Sequence, residues 1–358
     1  MKIIRTDHKI EDKFRCLLSY MEDALLFDIE TTGFSPATAM IYLIGTARPR
    51  DPETLTVTQY FAEDMTDEEE ILRAFLKEAG QYRKFISFNG DAFDIPFIQK
   101  RSMQYSLSFE PEESIDLYRD SRLISPVFPM KSRKLKSIEQ FFGIFREDEF
   151  SGGDLIKVWK DYTLTGDPKK EHTVLLHNEE DVADMFPVLS ILELKKLQEP
   201  AVTVERLVPE GAGACTFEGR SGIRTPVGFT LSSKNAVFRF SEDEIMGTIR
   251  AEKGTKRYFF GNPKAYRVLL SEEKVIPAAL VVSLPKNAVR KARLADCYAE
   301  KTGYFCLLPK GMQMDGLRPY RDSFESTVSY IELNPANVSR ETLAAYAALL
   351  IKGILRCG

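Results

Sequence analysis

The chain has 358 residues, 44% of them hydrophobic; that is more than one core normally holds, and it argues against extensive disorder. Net charge is −4, but residues 1–200 carry 26 Lys and Arg against 37 Asp and Glu, while residues 201–358 carry 23 against 16, so an acidic half precedes a basic one. The five cysteines (Cys16, Cys215, Cys297, Cys306, Cys357) include no CxxC pair, MKIIRTDHKI has no apolar signal core, and VIPAALVV is too short to span a bilayer; zinc, disulfide and membrane classes recede and a cytoplasmic location is expected.

In chain order, a polar segment with helical spacing (Phe14, Leu17, Leu18, Met21) precedes three strand-like runs, ALLFDIE, MIYLIGTA and LTVTQYFA, punctuated by Gly, Pro and Asp. A helix over DEEEILRAFLKEA, a strand KFISF, a helix beginning near Phe93 and a short apolar piece SIDLY follow. Helices are then expected over KLKSIEQFF, GDLIKVWKDY and a long stretch from about Glu171 to Leu197. An antiparallel meander followed by α/β alternation predicts an α/β domain over residues 1–198: a mixed five-stranded sheet flanked by helices, the ribonuclease H-like arrangement. Near LQEP the helical periodicity stops, and residues 201–358 read as a strand-rich α+β accessory domain that ends in the helix SRETLAAYAALLIKGIL.

Three places carry candidate chemistry. In LLFDIETTGF, Asp28 and Glu30 lie two apart on a strand and so project from one side, and two like charges set in an apolar run call for a cation between them. In FISFNGDAFDIPF, Asp94 falls in the first turn of a helix, where the helix dipole favours a carboxylate, although Asp91 and Asp94 also read as caps. In LLHNEEDVADMF, His177 and Asp181 are four apart and share one helix face, in a stretch that otherwise reads as a solvated acidic surface.

In the order Asp, Glu, Asp, Asp, the segments DIETTG, NGDAFDIPF and HNEED resemble the three motifs of the DEDD superfamily of proofreading (DnaQ-like) 3′-5′ exonucleases. SIDLYRD, KLKSIEQFFGI and SGGDLIKVWKDY look like a bacterial family of ribonuclease H-like presumed exonucleases, and the resemblance covers roughly residues 20–195. It implies two divalent ions about 4 Å apart that clamp the attacking and leaving oxygens of a phosphodiester. By similarity Asp28 would bridge both ions, Glu30 and Asp181 would hold the one that activates water, and Asp94 would support the second; magnesium is expected, with manganese as a substitute. The superfamily places either a tyrosine four positions or a histidine five positions before its last aspartate. His177 has the tyrosine spacing with the histidine identity, and is expected to be the general base. The implied activity is 3′-5′ exonucleolytic hydrolysis of single-stranded or frayed DNA or RNA; a structure-selective endonuclease and a non-catalytic nucleic-acid-binding protein are the alternatives. Further substrate contacts are assigned to Thr31, Thr32 and Asn89, to Lys131 and Arg133 in the run MKSRKLKS, and to Arg257, Tyr258, Lys264 and Arg267, where cations alternate with aromatics. GRSGIRTP reads as a loop.

Overall fold

A computed structural model describes residues 1–124, 132–148, 150–208 and 213–357. Two compact units result: Met1–Lys196 together with Arg224–Val227, and Leu197–Ile223 together with Gly228–Gly358. Among the described residues no helix is long and apolar enough to cross a membrane.

In the first unit, β1 (Lys2–Lys9), β2 (Ala24–Thr31), β3 (Ile41–Asp51), β4 (Thr54–Phe61), β5 (Lys84–Ser87) and β6 (Glu113–Asp116) form one sheet in the order β1-β4-β3-β2-β5-β6. Pairing is antiparallel from β1 to β2, then parallel from β2 through β5 to β6. The expected mixed sheet is present, with six strands in place of five. The additional strand, β1, has the sequence KIIRTDHK; as an edge strand it alternates half-buried with exposed residues, so its charges mask the apolar alternation. Phe14, Leu17 and Met21 are buried as expected, on a 3-10 segment from Asp12 to Met21.

The helices are α1 (Glu68–Ala79), α2 (Asp94–Gln104), α3 (Leu117–Ser121), α4 (Leu135–Phe141), α5 (Gly152–Thr165), α6 (Pro168–Val188) and α7 (Ser190–Lys195). The single long helix expected to run to Leu197 is divided at Leu189, just after Pro187, whose missing N–H and ring disfavour continuation. The start of α6 has Pro168 in its first turn and Asp167 accepting from the Lys169 N–H. Helix α6 packs across β2, β3 and β4. The core includes Leu25, Phe27, Tyr42, Phe61, Phe75 and Trp159, with the Tyr42 and Trp159 rings stacked at 4.7 Å.

The second unit is strand-rich, and Arg224–Val227 of its strand Ala214–Ser232 are the residues grouped with the first unit. Its strands are β7 (Val202–Val208), β8 (Ala214–Ser232), β9 (Ala236–Arg250), β10 (Glu252–Phe259), β11 (Tyr266–Leu269), β12 (Lys274–Pro277), β13 (Val289–Lys291), β14 (Tyr298–Leu308) and β15 (Ser329–Glu332). They form three three-stranded sheets, β7-β8-β9, β10-β14-β15 and β12-β11-β13, and α8 (Arg340–Cys357) packs on β7 and β9. GRSGIRTP is strand and not loop: β8 runs through it, with Ile223 and Thr225 buried at alternate positions.

Candidate active site

Strand β2 lies inside the sheet, between β3 and β5, and this placement puts Asp28 and Glu30 in a largely apolar setting. Asp28 stands opposite Gly45 of β3. A side chain at Gly45 would place its Cβ 2.2 Å from Asn178 Oδ1, so the glycine lets α6 lie close to the strand. Asn178 Oδ1 accepts from Gln59 Nε2 at 3.0 Å, which turns its amide N–H toward Asp28 Oδ2 at 3.1 Å. β2 pairs with β5 from Ala24 to Leu26; farther along, the Ile29 N–H donates to Asp94 Oδ1 at 3.2 Å and fixes the first residue of α2 against β2. The preceding turn has Asn89 at φ 69° and Gly90, where an added Cβ would lie 2.1 Å from Ser87 Oγ.

Helix α6 supplies the remaining face. His177 and Asp181 point into the same cavity, about 220 Å3, that Asp28, Glu30, Thr31, Phe34, Phe88, Asn89, Phe93 and Asp94 also line. His177 Nε2 lies 3.6 Å from Glu30 Oε1 and 3.4 Å from Asp181 Oδ2, and its Nδ1 is 2.6 Å from Asp148 Oδ2. Asp148 is itself held by Lys136 Nζ at 2.9 Å, and Glu180 accepts from the Glu147 and Asp148 N–H groups, tying this segment to α6.

The electrostatics describe a site short of positive charge. Burial, then the charges of Asp94, Asp181 and Glu30, pushes Asp28 well above the carboxylate range against the hydrogen bond from Asn178. Burial and the charges of Asp181, Asp94 and Asp148 do the same to Glu30. Asp94 is raised to about 7, chiefly by burial, although the Ile29 N–H opposes the shift. None of these three carboxylates has a Lys or Arg ion-pair partner among the described residues. The Tyr42 hydroxyl is buried without a hydrogen-bond partner among the described residues, and its proton is held tightly by burial and by the nearby Glu30 and Asp28 charges.

Asp181 differs. Its Oδ1 accepts from Arg146 Nη1, and the same buried guanidinium is doubly bonded to Glu139. Burial works against the charge on Arg146, but Glu139 and Asp181 outweigh it and raise its pKa. One oxygen of Asp181 is therefore committed to Arg146, and the other faces His177.

Divalent cations fit this donor set. Several oxygen donors converge on a cavity in which three carboxylates have no Lys or Arg partner among the described residues, and Glu30, His177 and Asp181 each offer a ligand atom within 4.8 Å of the others.

The other assigned contacts divide. Thr31 and Asn89 line the cavity, although Thr31 Oγ1 donates to the Gly33 carbonyl at 2.8 Å. Thr32 Oγ1 accepts from the Met40 N–H at 3.0 Å, between β2 and β3. Asp91 pairs with Arg119 at 2.5 Å, and Asp116 caps α3 while accepting from the Asn89 N–H. Arg133 is exposed; Lys131 lies outside the described residues. In the second unit, Arg257 pairs with Glu300 at 3.0 Å and lies over the Tyr298 ring, while Arg318 lies over the Tyr258 ring. Arg267 donates to the Lys264 and Tyr266 carbonyls, whereas Lys264 is exposed. Asp148, Arg146, Glu139, Gln59 and Gly45 escaped sequence reading because each acts through a tertiary contact. Asn178 lies inside HNEED and Glu139 inside KLKSIEQFFGI, so these two were at least within segments that carried the resemblance.

The sheet order and the helices around it define a ribonuclease H-like fold. Residues 25–193 match the family model described as the RNase_H superfamily, which suggests a nuclease. Among solved structures, the chain is similar to the family B DNA polymerase from the hyperthermophilic archaeon Pyrobaculum calidifontis, at 16% identity and a TM-score of 0.35. That likeness covers 68% of this chain but 36% of the polymerase chain. No curated protein matches the chain.

Proposed function

We propose that the protein is a divalent-metal-dependent 3′-5′ exonuclease acting on single-stranded or frayed nucleic acid in the cytoplasm. The observation that carries this reading is the convergence of Asp28, Glu30, Asp94 and Asp181 on one cavity, in the order of the DEDD motifs. These four residues would hold the metal, with Oδ2 of Asp181 the oxygen left to contribute because Arg146 occupies Oδ1. Divalent ions bound there supply Lewis-acid stabilisation of the attacking and leaving oxygens of a phosphodiester.

The chain's own residues do the rest. Asn178 and the Ile29 N–H fix Asp28 and Asp94, so the carboxylates are positioned before substrate arrives. Phe34 is 77% exposed at the cavity, beside Phe88 and Phe93, and offers a face on which a terminal base stacks. Asp148 lies against Nδ1, and in the tautomer that carries its proton there the imidazole lone pair lies on Nε2, toward Glu30 and Asp181; a group so placed accepts a proton from water or binds a cation.

The test is a nuclease assay on end-labelled strands titrated with Mg2+ or Mn2+, with Asp28→Asn as control. A metal-dependent ladder from the 3′ end, lost in the variant, is the expected result. Discrete internal cuts would mean an endonuclease, and binding without cleavage would remove the enzyme reading.

A further inference from the structure

We infer that Glu30, His177 and Asp181 form a mixed nitrogen and oxygen site for a first-row transition-metal dication, with His177 bound through Nε2 and not acting as a free base. The assignment rests on the reading of the cavity as a metal site, and is independent of which bond is cleaved.

The distances carry it. Two donors each about 2.1 Å from a common ion lie roughly 3.4 to 3.6 Å apart when they subtend about 110 to 120°. His177 Nε2 lies 3.4 Å from Asp181 Oδ2 and 3.6 Å from Glu30 Oε1. These spacings exceed a good N–H···O hydrogen bond, so Nε2 is aimed between two carboxylate oxygens without being well bonded to either. The ring is buried, and its other nitrogen is held at 2.6 Å by Asp148, which Lys136 anchors in turn. A carboxylate on Nδ1 fixes the tautomer and the ring plane with Nε2 free to donate, which is the usual support of a metal-bound imidazole. Arg146 constrains the third donor: it takes Oδ1 of Asp181 and leaves Oδ2 for coordination, while Glu139 compensates its charge.

The consequence is selectivity. An all-carboxylate site suits Mg2+, whereas an imidazole in the donor set shifts preference toward the manganese-to-zinc series. A general base at this position would leave the metal preference independent of His177.

Mn2+ is the probe, used on the full-length protein without nucleic acid, in a background carrying His8→Gln and His172→Gln so that His177 is the sole histidine. Electron spin-echo modulation of bound Mn2+ is expected to show coupling to one imidazole nitrogen, and His177→Gln is expected to abolish it. His177→Gln should also weaken Mn2+ binding by about 10- to 100-fold and Mg2+ binding by much less, and Asp148→Ala should reproduce part of the Mn2+ loss. Absence of nitrogen coupling in the background protein, or an unchanged Mn2+ to Mg2+ affinity ratio in His177→Gln, overturns the assignment. The spectrum of the background protein decides the matter even if a variant fails to fold. A positive spectrum with no cleavage of any strand would instead remove the exonuclease reading while leaving the metal site standing.

Discussion

Replacing Asp94 with asparagine should stabilise the metal-free protein while removing its activity. Burial raises the Asp94 carboxyl from 3.8 to about 7, so the folded state resists its ionisation. Below 3.8 the group is protonated whether folded or unfolded, and no penalty exists. The penalty grows as pH rises from 3.8 toward 7 and is complete above it. A shift of about 3 pH units corresponds to an upper bound of about 4 kcal/mol, and because Asp28 and Glu30 share the same field we expect a gain of about 2 kcal/mol from Asp94→Asn. The asparagine carbonyl still accepts from the Ile29 N–H, so the local geometry has no reason to change. Trp159 is the only tryptophan, is fully buried and stacks on Tyr42, so its fluorescence reports the first unit alone. In urea with EDTA the midpoint should rise by about 1 M at about pH 8 and hardly move at about pH 4. No rise at the higher pH, or an equal rise at both, would refute the electrostatic origin of the shift.

Other substitutions probe the supports of the site and the second unit. Gly45→Ala forces a Cβ against Asn178 and Val182, and should cost about 1 to 3 kcal/mol by the same fluorescence assay while freeing Asp28 from Asn178. Arg146→Met leaves Glu139 buried without its cation, and should lose about 3 to 5 kcal/mol; Glu139→Gln combined with Arg146→Met should recover part of that loss. In the second unit, Arg290 and the backbone of Arg293, acting against burial, hold Asp296 down to about 2. This ion pair stabilises above the normal aspartate range and is lost as pH falls through about 2, so Asp296→Asn should matter at neutral pH and not in strong acid. Its partial exposure limits the effect to about 1 kcal/mol or less, read by amide hydrogen exchange across residues 289–297.

Much of the first unit was readable in the chain because its strands are apolar runs broken by Gly, Pro and Asp, and because its helices carry a clear 3.6-residue period. The exception, β1, is an edge strand whose exposed Arg5, Asp7 and Lys9 conceal the pattern, and Pro187 interrupted a periodicity that otherwise continues. Asp28, Glu30, Asp94, His177 and Asp181 were recognisable as residue types at motif spacings, and all of them line one cavity. What surrounds them was not. Asp148 lies 29 positions from His177 and Arg146 lies 35 from Asp181, separations at which no local periodicity couples two side chains. In the second unit the alternating cations and aromatics suggested a nucleic-acid surface; Arg257 and Lys256 there pair with Glu300 and Asp322. Alternation on a strand marks two faces, and does not by itself tell which charges are already neutralised.

Crystals of the protein soaked in Mn2+ and a nucleoside monophosphate offer the most direct measurement, because manganese is located by its anomalous scattering independently of any assay. Anomalous density between Asp28, Glu30, Asp94 and Asp181 is the expected result, with Asp181 Oδ2 and His177 Nε2 in its coordination shell. Manganese bound only elsewhere, or a cavity closed by Arg146 with no anomalous signal at saturating metal, would contradict the reading of this cavity as the catalytic centre of a nuclease.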